Sequence, residues 1–231
     1  MEQKFTLDTK TGDIVTQFTK ASHIFKKYKI NFCCSSNVPI VEALEKRRLD
    51  KNAVIQEINQ LYLQEESNRN NHVDWSEKTK MELIEHITNS HHQFLNEVLP
   101  ELSSYISKVH RVHGGNYPEL TLVYTLFHHL KNELEHHIYL EEKYLYPKMI
   151  KHEDHLTNAE QSKEINHLIN ELKGEHEGFV DMMAKIRKTT NNYKLPDHAC
   201  NTFTLTFLKL EEFENDLYQH IHLENNILFN N

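Results

Sequence analysis

From Gly12 to Ile30 the apolar residues Ile14, Val15, Phe18, Ala21, Ile24, Phe25 and Tyr28 recur every three or four positions. That spacing lines one face of a helix. The run Asn31-Phe32-Cys33-Cys34-Ser35-Ser36-Asn37 ends it in a turn that carries two thiols. Pro39 suits a first helical position and opens a short helix through Arg47, and Asp50 can cap another through about Tyr62. Between Gln64 and Trp75 the chain is polar and without periodicity, as connections between domains usually are. The pattern predicts a small helical domain over residues 1–65 and a linker over 66–76.

Beyond the linker the same periodicity lengthens. Thr79 and Glu82 have the spacing of a capping box, and Leu83, Ile84, Ile87, Leu95, Leu99, Leu102 and Ile106 carry a helix to about His110. Gly114-Gly115-Asn116 makes a turn. Pro118 then starts a second helix to about Tyr146, with Pro147 just past its end. A third spans about Ala159 to Lys188, and Asp197 can cap a fourth that runs to about Phe229. Four long amphipathic helices with short connections predict an all-α, up-down four-helix bundle over residues 77–231.

Composition narrows the function. Five Gly and five Pro in 231 residues agree with long helices. No apolar run approaches the roughly 18 residues of a membrane span, and the polar start at Met1-Glu2-Gln3-Lys4 is unlike a signal peptide. A soluble, cytoplasmic protein without a membrane partner is expected. A net charge of -8, with Lys and Arg scattered among acids, disfavours nucleic acid. Three cysteines, two of them adjacent, are no disulfide framework. Cys200 reads as a small packed residue without chemistry. The outlier is 18 His, an excess that packing does not require.

A repeat explains part of that excess. His137-Ile138-Tyr139-Leu140-Glu141, continuing to Leu145-Tyr146, matches His220-Ile221-His222-Leu223-Glu224, continuing to Leu228-Phe229. His92 lies 45 positions before His137, and His176 lies 44 before His220. In each copy His and Glu are four residues apart, so both project from one helix face. A single histidine on a bundle helix usually packs or meets solvent. Six ligand-type residues repeated in register have no such purpose, because a core gains nothing from polar pairs in two inner helices. Four imidazoles and two carboxylates suit two metal ions bridged by carboxylate oxygens. Imidazole and carboxylate without thiolate favour iron or manganese over structural zinc, and open-site redox chemistry suits iron. His91 competes with His92, and the repeat spacing prefers His92. Glu133, one turn before His137, and Glu175, beside His176, are candidates for lining an iron path or relaying protons. The other histidines, His222 among them, are expected to lie outside the ligand set, on the surface or supporting it.

These residues carry a resemblance over nearly the whole chain. Ala21-Ser22-His23-Ile24-Phe25-Lys26-Lys27-Tyr28 with Asn31-Phe32-Cys33-Cys34 resembles the small cysteine-bearing domain of the RIC family, the iron–sulfur cluster repair di-iron proteins. The segments around His92 and Leu99-Pro100-Glu101-Leu102, His137 to Pro147, Glu175-His176, Pro196 to Cys200, and His220 to Phe229 are similar to the family's hemerythrin-like bundle, in the same order. The resemblance implies iron ligands His92, His137, Glu141, His176, His220 and Glu224, with Glu141 and Glu224 bridging two non-haem irons. It implies a cytoplasmic homodimer that restores clusters in damaged iron–sulfur proteins after nitric oxide or peroxide stress, supplying iron. A di-iron enzyme reducing nitric oxide and a module binding or sensing oxygen are the competing readings. Cys33 and Cys34 would help to pass iron or electrons. The family's Cys-Cys-Gly-Gly reads Cys33-Cys34-Ser35-Ser36 here, which removes two residues that adopt positive φ without strain.

Overall fold

A computed structural model describes residues 4–18, 20–32, 37–67, 75–153 and 159–230. Among them every regular element is helical, and a single isolated bridge joins Lys10 and Pro39. The chain divides into two compact units, Met1–Leu83 with Gln219–Asn231, and Ile84–Tyr218.

The first unit contains α1 (Thr11–Gln17), α2 (Ala21–Lys27), α3 (Ile40–Lys46) and α4 (Lys51–Ser67). The helix expected over Gly12 to Ile30 is therefore two short ones. Phe18 leaves α1 with an extended φ of -148°, and both Phe18 and Phe25 are then fully buried. Periodicity alone cannot distinguish one helix from two in phase. Asp50 caps α4 as expected, its Oδ1 accepting from the Asn52 and Ala53 amides. Buried Asn59 on α4 pins the N-terminal strand of chain by exchanging two 2.9 Å hydrogen bonds with the Phe5 backbone. The rings of Phe5 and Phe18 both meet Tyr62 edge-on. Cys33 and Cys34, and most of the expected linker, lie outside the described residues.

The second unit is the bundle. Its helices are α5 (Lys80–His86), α6 (Gln93–His113), α7 (Glu119–Leu140), α8 (Tyr146–Glu153), α9 (Ala159–Thr189) and α10 (Asn201–Leu223), with α5 beginning and α10 ending in the first unit. The Thr79–Glu82 capping box forms: the Thr79 amide donates to Glu82 Oε2 at 2.9 Å and the Glu82 amide to Thr79 Oγ1 at 3.2 Å. Leu95, Leu99, Leu102 and Ile106 of α6 are buried at helical spacing, as are Val123, Phe127, Leu130 and Leu134 of α7. Three segments depart from the α-helical repeat. Ile87–His92, Glu141–Leu145 and Glu224–Leu228 are π-helical turns, each holding one extra residue.

Two expected boundaries move for physical reasons. The second helix does not stop at Pro147, because after the π-turn Pro147 occupies the first turn of α8, where its missing N–H is tolerated. The fourth begins at Asn201, not after Asp197, because His198 adopts a left-handed φ of 63°. The connection before it is tight. Asn191, Asn192 and Tyr193 all have positive φ, and the Arg187 guanidinium lies 4.8 Å from the Tyr193 ring while forking onto buried Glu214 of α10.

Candidate metal centre

Within the bundle unit, the ligand-type residues converge. His92 ends the first π-turn, His137 lies in the last turn of α7, Glu141 opens the second π-turn and His176 sits midway along α9. All four are buried to 0% exposure. Glu141 faces an imidazole with each oxygen: Oε1 is 3.0 Å from His137 Nε2 and Oε2 is 3.4 Å from His92 Nε2. His176 Nε2 is 2.9 Å from His137 Nε2, and His137, Glu141 and His176 offer ligand atoms within 4.8 Å of one another. The geometry of the first unit repeats the motif. His220 Nε2 lies 3.2 Å from Glu224 Oε2, one turn on, and both residues are buried.

The outer ring nitrogens fix which atoms face inward. His137 Nδ1 donates to Glu175 at 2.7 Å and His92 Nδ1 to Glu142 at 3.0 Å. With the proton on Nδ1, each Nε2 presents its lone pair toward Glu141. Those hydrogen bonds also hold the carboxyl groups of Glu175 and Glu142 below the usual carboxylate range, the bond to the imidazole being the leading cause in each case. Imidazole and carboxylate lone pairs this close repel one another unless positive charge sits among them. The donor set is that of a buried cation site.

The neighbours sort out differently. His91 turns its Nδ1 to Asp216 at 2.8 Å, while the adjacent His92 reaches Glu141. Glu133 is exposed on α7. Glu142 was not expected from the sequence, because its partner is 50 positions away. His222 is not at the surface. It is 2% exposed, and burial pushes its imidazole down to about 4, opposed by a hydrogen bond to the Phe32 backbone. Cys200, expected to be packed, is exposed, with Sγ 3.2 Å from His113 Nε2.

Comparison with known proteins agrees with this architecture. Residues 82–230 match the hemerythrin HHE cation binding domain, and residues 7–62 match the ScdA N-terminal domain, a domain of unknown function (DUF542). The chain is 32% identical to the iron-sulfur cluster repair protein ScdA of Staphylococcus haemolyticus, over 95% of each chain. It is also 32% identical to the iron-sulfur cluster repair protein YtfE of Citrobacter koseri, over 96% of this chain and 95% of the relative. The chain belongs to the family of these hemerythrin HHE proteins, in which a DUF542 domain precedes the cation-binding bundle.

Proposed function

We propose that this protein repairs iron–sulfur clusters damaged by nitrosative and oxidative stress, supplying iron from a carboxylate-bridged di-iron centre. The observation that carries the reading is Glu141, whose two oxygens each face a different buried imidazole. A carboxylate so placed serves two ions instead of one. His92, His137, Glu141, His176, His220 and Glu224 are the proposed ligands, with Glu224 as the second bridge. The relatives' names supply the acceptor, an iron–sulfur protein. The proposed division of labour is a thiol-bearing domain over residues 1–65 and an iron-bearing bundle over residues 77–231, acting in the cytoplasm as a homodimer.

Bound iron supplies reversible redox chemistry and exchangeable positions for a small molecule. The chain's own residues orient His92 and His137 through Glu142 and Glu175. The buried Phe179 ring packs against His137 and His176, with centroids 5.1 and 6.2 Å away, and helps to exclude bulk water from them.

Purified anaerobically, the protein should hold two irons per chain, and Glu141→Ala should lose at least one of them. Elemental analysis finding a single iron, or zinc alone, would sink the centre. Iron should then leave as an inactivated iron–sulfur enzyme regains activity. Turnover of nitric oxide with both irons retained would favour the reductase reading instead.

A further inference from the structure

His222 is a buried polar residue to which this function gives no task. It lies midway between the proposed ligands His220 and Glu224, two residues from each, so its side chain leaves the helix on another face. That face meets the N-terminal helices. His222 Nε2 is 3.2 Å from Thr16 Oγ1 of α1, and its Nδ1 is 2.9 Å from the Asn226 amide nitrogen in the π-turn. Because the Asn226 amide donates to Nδ1, the proton sits on Nε2, which is shared between Thr16 and the Phe32 backbone. The ring also packs against Phe32, with centroids 5.9 Å apart, immediately before Cys33. One side chain thus joins α1, Phe32 and the last π-turn.

A leucine would fill the same space without joining anything. Imidazole donates from one edge and accepts on the other, so it ties two separate stretches to the helix that bears it. Moving α1 and the segment at Phe32 away from the end of α10 must break the Thr16 and Phe32 bonds and leave a buried ring nitrogen unsatisfied.

We propose that His222 is a positioning residue: it latches α1 to the ligand-bearing end of α10, so that displacing the N-terminal helices loosens His220 and Glu224 and frees iron. The proposal rests on the di-iron reading for its consequence, and on the hydrogen bonds of the first unit for its mechanism. Docking of a partner against the N-terminal helices would then set when iron leaves, without any change in the ligands.

The test uses His222→Phe, which keeps a buried ring and loses every hydrogen bond of the imidazole, and Thr16→Val, which removes only the α1 partner. Hydrogen exchange is measured on the metal-free full chain, and iron transfer to a ferrous chelator on the loaded one. Both variants should bind iron as fully as the parent and release it about tenfold faster, the scale of one lost hydrogen bond. Amides of α1 and of residues 219–228 should exchange faster together. The double variant should be no worse than His222→Phe alone, because the two changes break one bond. His222→Gln, which can still donate and accept, should recover part of the slow release. Thr206→Val, at a buried hydroxyl bonded within α10, controls for general loosening and should leave release unchanged.

Parental release rates in both His222→Phe and Thr16→Val would overturn the latch. Equal acceleration by Thr206→Val would overturn it too, since any destabilisation would then suffice. If His222→Phe fails to fold, Thr16→Val decides alone. If the parent takes up no iron, the di-iron reading falls, and exchange still decides the latch: coupled opening of the two segments sustains it, and independent opening overturns it.

Discussion

Each inward-facing imidazole of the bundle unit that has a carboxylate behind it, His92 and His137, is aimed by a hydrogen bond to its outer nitrogen. Such bonds fix the tautomer and make the ligand nitrogen more basic, and losing one typically weakens metal binding about 10–100-fold. Glu142→Ala should therefore lower iron affinity by that order while the circular dichroism of the bundle is unchanged. Glu133→Ala, on an exposed position of the same helical run, should leave affinity alone. Competition against a chelator of known strength measures both. Glu142 is also where the sequence was least informative. It follows Glu141 as one acid among many, and nothing local indicates that its partner lies on another helix. The repeated His and Glu pairs, by contrast, need only helical geometry to be read, because both members of each pair share a face.

Helix ends were legible wherever a side chain satisfied its own backbone, as at Asp50 and at Thr79 with Glu82. The π-turns were not. Val123, Leu130 and His137 are buried at steps of seven, and the next step would bury Tyr144, yet Tyr144 is 47% exposed and Leu145 is fully buried. One added residue in Glu141–Leu145 shifts the buried face by one position, and the hydrophobic pattern around it is too short to reveal the slip. The α9–α10 connection makes the prediction at this scale. Glu214 is buried and forked by Arg187, which is itself only 16% exposed along its side chain. Glu214→Ala leaves a guanidinium unpaired in a poorly hydrated place, at a cost of about 3 kcal/mol. For a chain of this size that corresponds to roughly 6–12 °C in Tm. Calorimetry on Glu214→Ala and on the Arg187→Met, Glu214→Leu pair separates the cost of the stranded charge from that of lost packing, since the pair should recover most of the loss.

Over the whole molecule, the thiols and the proposed ligands are separate in the chain: Cys34 precedes His92 by 58 positions. Replacing Cys33 and Cys34 by Ser should leave the folded bundle and its metal content intact while lowering reactivation of a damaged iron–sulfur enzyme. All three should be measured on one preparation. Reactivation at the parental level would remove the thiols from the mechanism. The division into units adds something the linear pattern did not show, because Gln219–Asn231 is grouped with the N-terminal helices, so one of the two repeated pairs belongs to a different unit from the other. The π-turns bear on how such a protein is inherited. Glu141 and Glu224 each stand at the first position of a five-residue turn, and His92 at the last position of a six-residue one. A descendant that lost Thr88, Asn89 or Ser90 from the turn that ends at His92 would keep every proposed ligand and every apolar residue. The helix beyond would nevertheless be turned by about 100°, and the chain would fold around a centre it could no longer complete. In a lineage of such chains, the mark of a silenced copy is then a gap of one residue, with all six proposed ligands still written in the sequence.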